Sequence, residues 1–325
     1  MTARTDMAPI GPGGRLPLVD AARGGALAAM IVYHFAWDLS FYDLIATEIA
    51  TSRPWQIFAR AIAGSFLALV GVSLVLATRG GLRPRPYLRR LALVTGAALA
   101  ITAVTRIALP DDFIWFGILH CIAVSSVLGL AFLRLPVSIV IVAAALALAA
   151  PGLFAHPAFD APAWRWLGLM TYFPRTNDYV PLLPWFGMVL AGIALARLVL
   201  ARAAGASFLR WHPSGRIGRT LVWTGRRSLA VYLVHQPLLL AALYGVAAVA
   251  GPSPAAVTRE FLTACERTCV ATGSDTSRCQ VYCACIADRL KEDGLWDSVI
   301  ANRVTPSGQD ALTRITRDCD GRDLP

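Results

Sequence analysis

Apolar residues fall into long runs separated by short polar or charged connections. A helix needs about 20 predominantly apolar residues to cross a bilayer. Runs of that kind lie near Leu18–Trp37, Trp55–Thr78, Leu91–Leu109, Ile114–Leu133, Pro136–Phe154, Leu182–Leu200 and Ser228–Ala250. Before them, the residues through Arg15 are polar and rich in Gly and Pro. After them, Pro252–Pro325 is soluble in composition. The pattern predicts an all-α fold, a polytopic transmembrane helix bundle of about seven spans. A disordered cytoplasmic lead covers 1–14, a membrane domain 15–251, and a small extracytoplasmic helical domain 252–325. A cleavable signal peptide is not expected, because the first run is too long and is interrupted by charge.

That first run is the informative one. It carries Asp20, Arg23, His34 and Asp38. At 100° per residue all four fall within roughly 60° of helix circumference, with Arg23 and His34 about 16 Å apart along the axis. Ionisable groups inside a span are costly, so such a stripe faces the protein interior and is a candidate functional site. The blander alternative makes Asp20 and Arg23 interfacial anchors and His34–Asp38 a polar helix end.

Composition agrees with the membrane reading. The 325 residues are 56% hydrophobic and 15% charged, and the mean hydropathy is +0.57. The net charge of +10 could suggest nucleic acid. The basic residues, however, sit between apolar runs, which fits membrane topology, and no nucleic-acid partner is expected. The connections after the second, fourth and sixth runs are basic. They carry Arg79, Arg83, Arg85, Arg89 and Arg90, then Arg134, then Arg202, Arg210, Arg216, Arg219, Arg226 and Arg227. The opposite connections are acidic or aromatic. The positive-inside rule therefore puts the amino terminus in the cytoplasm and, after seven spans, the tail outside.

The tail holds six of the seven cysteines: Cys265, Cys269, Cys279, Cys283, Cys285 and Cys319. An even number in a short polar segment reads as a disulfide framework in an oxidising compartment. Residues four apart share a helix face. Two short helices folded back at Gly273 could be joined by Cys265–Cys283 and Cys269–Cys279, leaving Cys285 for Cys319. Other connectivities stay open on spacing alone. Zinc ranks below disulfides, since the tail has no His and no CxxC spacing, and no metal is expected. Cys121 reads as a small apolar packing residue.

Further polar groups mark other spans. His120 lies in WFGILHCIAVSS, His235 and Gln236 lie in SLAVYLVHQPLLL, and Asp178 precedes PLLPWFG at the outer mouth of the sixth run. They are further pocket candidates; His120 and His235 can equally be packing residues that orient other groups. No phosphate-binding loop, GxGxxG, GxSxG or HExxH is present. The Gly24-Gly25 and Gly64/Gly71 pairs read as points of close helix packing.

The spacing Arg23, ten residues, His34 resembles the Arg-x10-His motif of transmembrane acyltransferases. LVDAARGGALAAMIVYHFAWDL, FGILHCIAVSS, DYVPLLPWFGMVLAGI and GRRSLAVYLVHQPLL together resemble bacterial proteins related to the catalytic domain of heparan-alpha-glucosaminide N-acetyltransferase. The resemblance covers roughly Arg15 to Ala250. It implies a multi-pass protein of the bacterial inner membrane, an acyl-CoA donor (acetyl-CoA) on the cytoplasmic side, and a sugar or glycan acceptor outside. His34 matches the catalytic histidine and Arg23 the motif arginine. The heparan enzymes carry an Asn before that histidine, and none occurs between Asp20 and Ser40 here. Heparan itself is therefore not the expected acceptor.

Acyl transfer from a thioester needs a base for the acceptor and electrostatic help for the oxyanion. His34 is suited as base or transient acyl carrier, with Asp38 orienting its imidazole. Arg23, held by Asp20, would bind the donor's phosphates or pantetheine, with Arg83 and Arg85 as further phosphate contacts. A homodimer is compatible with this reading. Two other classes remain: a transporter or flippase using the stripe as a relay, and a non-catalytic scaffold presenting the tail.

Overall fold

The computed structural model describes residues 16–202 and 211–320; the lead 1–14 and Arg210 lie outside the described residues. Among those residues the regular elements are helical, apart from one isolated bridge between Phe116 and Tyr179. The chain divides into two compact units, Met1–His34 with Arg53–Leu238, and Phe35–Ser52 with Leu239–Pro325. The division falls within two helices, α1 (Pro17–Phe41) and α8 (Ser228–Ala250).

The first unit contains α2 (Arg53–Thr78), α3 (Pro84–Ala108), α4 (Ile118–Phe132), α5 (Val137–Phe154), α6 (Leu182–Arg202) and α7 (Gly215–Arg226). Lipid supplies no hydrophobic drive between helices, so spans associate by close packing at small residues. α6 shows how. A Cβ on Gly192 would lie 2.0 Å from the Ala68 carbonyl oxygen of α2, and one on Gly187 2.9 Å from the Ala144 carbonyl oxygen of α5. α6 therefore sits between α2 and α5, with Val189, Leu190 and Ile193 buried among them. Gly71 returns the contact from α2, where a Cβ would meet the Val189 carbonyl oxygen at 2.0 Å. Leu27 and Met30 of α1 pack with Ile62 of α2, against Val231 and Tyr232.

Among the described residues, five helices are long and apolar enough to cross a membrane: α2, α3, α5, α6 and α8. The chain is thus an all-α integral membrane protein. The two remaining expected spans differ for separate reasons. α1 has the length, with 25 residues, but its stripe of ionisable side chains lowers its hydropathy. α4 is shorter than expected, because 114–117 is not helical: Phe116 bridges to Tyr179, its carbonyl accepts from the Val180 N–H, and Gly117 is extended. α7 lies where the sequence suggested only a basic connection. Of the glycines read as packing points, Gly24 and Gly71 make close backbone contact and Gly64 meets the Met188 side chain at 3.2 Å. Gly25 faces open space.

The second unit carries α9 (Pro254–Ala271), α10 (Thr276–Glu292), α11 (Trp296–Ile300) and α12 (Pro306–Asp320). Ser253 caps α9 by accepting from the Ala256 amide, and Asp275 caps α10 by accepting from the Ser277 amide. Between them Gly273 adopts φ +91°, a left-handed turn that glycine enters without a Cβ penalty. Three disulfides join Cys265 to Cys283, Cys269 to Cys279 and Cys285 to Cys319. The first two bind α9 to α10 and the third binds α10 to α12. Ile286, Leu290 and Ile315 form a small core beside Phe261 and Trp296. Within the same unit Arg259 of α9 ion-pairs with Asp43 at 2.8 Å and Glu48 at 3.0 Å, tying down the loop after α1.

Candidate active site

α1 organises the first unit's polar groups. Asp20 is buried, and its carboxylate is shared: Oδ1 accepts from Arg23 Nη1 at 3.1 Å, and Oδ2 accepts from Arg226 Nε at 3.3 Å. Arg23 Nη2 donates to Ser73 Oγ of α2 at 2.8 Å, and its Nη1 also donates to the Gly225 carbonyl of α7 at 3.3 Å. The guanidinium therefore links α1, α2 and α7. Backbone contact makes this arrangement possible. A Cβ on Gly24 would lie 2.0 Å from the Leu221 carbonyl oxygen, and one on Gly225 1.8 Å from the Asp20 carbonyl oxygen. Two cations around one carboxylate leave a net positive charge. Arg226, with 49% of its side chain exposed, is the more accessible cation.

Three turns along α1, His34 meets His235 of α8. The ring centroids are 5.1 Å apart and the planes inclined at 60°. His235 Nδ1 lies 2.7 Å from the Tyr232 carbonyl oxygen and 3.2 Å from that of Val231. Carbonyl oxygens only accept, so Nδ1 carries the proton and Nε2 holds a lone pair. That Nε2 is buried and makes no hydrogen bond to the protein. His235 thus presents a fixed tautomer beside His34. Gln236 follows it, partly buried, and Pro237 lies inside the same helix.

His120 has a different environment. Its Nδ1 accepts from the Gly117 amide at 3.2 Å, so Nε2 carries the proton and faces Thr102 Oγ1 at 3.3 Å. Thr102 in turn donates to the Ile114 carbonyl at 2.6 Å. Both ring nitrogens are engaged, and the ring stacks on Phe116. His120 fixes the turn into α4. Asp178 supports the same turn: its Oδ2 accepts from the Ile118 amide at 2.9 Å, placing a carboxylate at the α4 amino terminus. Burial pushes the Asp178 carboxyl up to about 6, against the pull of that amide. His120, Asp178 and Tyr232 line a cavity of about 10 Å³, room for about one water.

Two sequence candidates, Arg83 and Arg85, stand apart from the Asp20 network: they are exposed at the start of α3, and among the described contacts neither joins it. Asp38 is fully buried on the stretch of α1 that belongs to the second unit. The six tail cysteines are all disulfide-bonded, and Cys121 is buried with a free thiol. Sequence reasoning passed over Ser73 and weighed Arg226 only as a topology signal. Both reach Arg23 or Asp20 from other helices, which no local pattern reports.

The first unit is thus a helix bundle with a buried Asp–Arg network on α1 and a histidine pair between α1 and α8. The chain belongs to the family described as Heparan-alpha-glucosaminide N-acetyltransferase, catalytic, which it matches over residues 15–237. That stretch contains Asp20, Arg23, His34, His120, Asp178, Arg226 and His235 and leaves the cysteine-rich tail outside. Membership brings membrane acetyltransferase chemistry in general. No curated protein and no solved structure matches the chain.

Proposed function

We propose that this protein moves an acetyl group from acetyl-CoA, taken from the cytoplasmic side, to a hydroxyl or amine of an extracytoplasmic sugar or glycan. The observation that carries the reading is the His34–His235 pair, set three turns from the Arg23 network on the same helix. A donor with a polyanionic end and a distant thioester needs that separation. Its charged end would meet the cations around Asp20, with Arg226 the most open of them. Its thioester would lie near His34.

His34 then acts as general base. It takes the proton from the acceptor hydroxyl or amine as that atom attacks the thioester carbonyl carbon. Collapse of the tetrahedral adduct breaks the C–S bond, and the departing thiolate recovers a proton as free CoA. His235 is a positioning residue: its Nδ1 proton is committed to backbone carbonyls, so Nε2 can orient the His34 ring or take up a proton passed from it.

The sidedness rests on the arginine-rich connections and on the disulfides of the tail, which suit an oxidising compartment such as the periplasm. The test is to incubate purified protein with acetyl-labelled acetyl-CoA and a periplasmic glycan extract. Label in the glycan fraction and release of free CoA are expected. Transport of an intact solute with no CoA release would overturn the reading.

A further inference from the structure

α7 is a short amphipathic helix joining two spans. Its inner face, with Val222 and Gly225 buried, packs on α1. At 100° per residue, Arg216, Arg219 and Trp223 fall within about 60° of one another on the opposite face. All three are exposed, as are Arg227 and Ile217. Ile217 is 80% and Trp223 52% exposed, large values for apolar side chains. The Arg227 guanidinium lies over the Trp223 ring, 4.6 Å from its centroid. From Arg197 to Arg227 the chain has no Asp or Glu. Only Arg227 separates α7 from the spanning helix α8, so this face lies where the chain enters the bilayer.

We infer that the outer face of α7 is an interfacial binding surface for anionic phospholipid. The charge is complementary to an anionic leaflet, which attracts basic segments near its surface. The apolar exposure selects the leaflet over a soluble phosphate. A free anion would satisfy the arginines and leave Ile217 and Trp223 in water. A bilayer interface takes up Trp at headgroup level and lets Arg extend to the phosphates. The inner face of the same helix supplies the Gly225 carbonyl to Arg23, and Arg226, at the edge of the outer face, reaches Asp20. Lipid held on one face therefore fixes the backbone that holds the Arg23 network on the other. The inference depends on the membrane fold and is independent of acetyl transfer.

The experiment uses the full chain in nanodiscs of phosphatidylcholine alone and of phosphatidylcholine with one-third phosphatidylglycerol. An environment-sensitive fluorophore is placed at Ile217→Cys, Cys121 being buried and the other cysteines disulfide-bonded. A blue shift, larger with phosphatidylglycerol, and quenching by lipids spin-labelled near the headgroup are expected. Arg216→Gln with Arg219→Gln should remove most of the phosphatidylglycerol-dependent shift and leave far-UV circular dichroism unchanged. If that double variant fails to fold, quenching in the charge-intact protein decides alone. Water-like emission without quenching in both bilayers would overturn the inference. So would the same blue shift produced by inorganic phosphate or CoA in neutral discs, which would make the ligand a soluble phosphate.

Discussion

The imidazoles of His34 and His235 lie 5.1 Å apart, brought together by α1 and α8 from the two ends of the membrane unit. The backbone fixes one tautomer of His235 through Tyr232 and Val231. A positioning role for His235 makes a defined expectation. His235→Gln, which retains a hydrogen-bonding side chain, should recover part of the activity lost in His235→Ala. The loss in His235→Ala should fall on kcat with little change in KM. The pH profile of kcat should also shift in that variant. Equal loss in both variants with an unaltered pH profile would assign His235 to packing alone.

The Asp20 carboxylate serves two arginines and is itself buried, so its removal should cost more than removal of its exposed partner. Asp20→Asn should destabilise the protein by about 3 kcal/mol, because it leaves cations without a counter-charge. Arg226→Gln should cost less than about 1 kcal/mol, since half of that side chain is in solvent. Thermal melting in detergent gives the order, and donor binding measured on the same samples should weaken in both. Equal stability losses would show that the network is not organised around Asp20.

Asp178 makes stability pH-dependent. Its carboxyl is raised to about 6 in the folded protein by burial. A raised folded pKa means that the neutral acid is the better-tolerated form. Its stabilising contribution is complete below the ordinary carboxylate pKa and is lost as pH rises through about 6. Between pH 7 and pH 4 this group should add on the order of 2 kcal/mol of stability. Asp178→Asn, close in shape to the neutral acid, should remove that dependence while holding the α4 amino terminus. A melting curve whose pH dependence is the same in Asp178→Asn and in the unaltered protein would refute the assignment.

The polar stripe of α1 and the two disulfides between α9 and α10 were legible because each is a matter of local spacing; Cys285–Cys319 followed only as the remaining pair. Asp20 and Arg23 share a face by helical period, and Cys residues four apart on either side of Gly273 oppose each other once the chain turns. Other features were hidden because they depend on tertiary contact. Arg226 looks like one arginine among many until Gly24 and Gly225 let α7 approach α1. α7 itself escaped because it is short and half polar, and a spanning-length pattern passes over it. The start of α4 was misplaced because 114–117 is apolar yet held out of the helix by contacts such as the Val180 N–H to the Phe116 carbonyl. His120 and His235 look alike in sequence, and only their hydrogen-bond partners separate a structural ring from one with an unengaged nitrogen.

The tail should respond to redox chemistry as three closed loops. Thiol labelling of denatured, unreduced protein should modify Cys121 alone. Opening Cys285–Cys319, the longest loop with a separation of 34 residues, should cost more than opening Cys269–Cys279, with a separation of 10. The difference should amount to about 1 kcal/mol by loop entropy. Protease susceptibility of α12 in the Cys285→Ser, Cys319→Ser variant reports it. Labelling of several tail thiols before reduction would contradict the framework.

Sidedness can be read with reporters. A periplasm-dependent enzyme fused after Pro325 should be active, and the same enzyme inserted within 80–86 should be silent. The opposite pattern would place the Arg23 network and the donor on opposite sides of the membrane.

The central claim is that His34 performs the proton transfer, and it is tested by measuring acetyl transfer and acetyl-CoA affinity on one well-folded His34→Ala preparation. The account predicts a loss of about 10²–10⁴-fold in turnover, the size of a general-base contribution. Donor affinity should be nearly unchanged, because the cations around Asp20 are intact. Full transfer activity in that preparation would contradict the account and remove His34 from the chemistry.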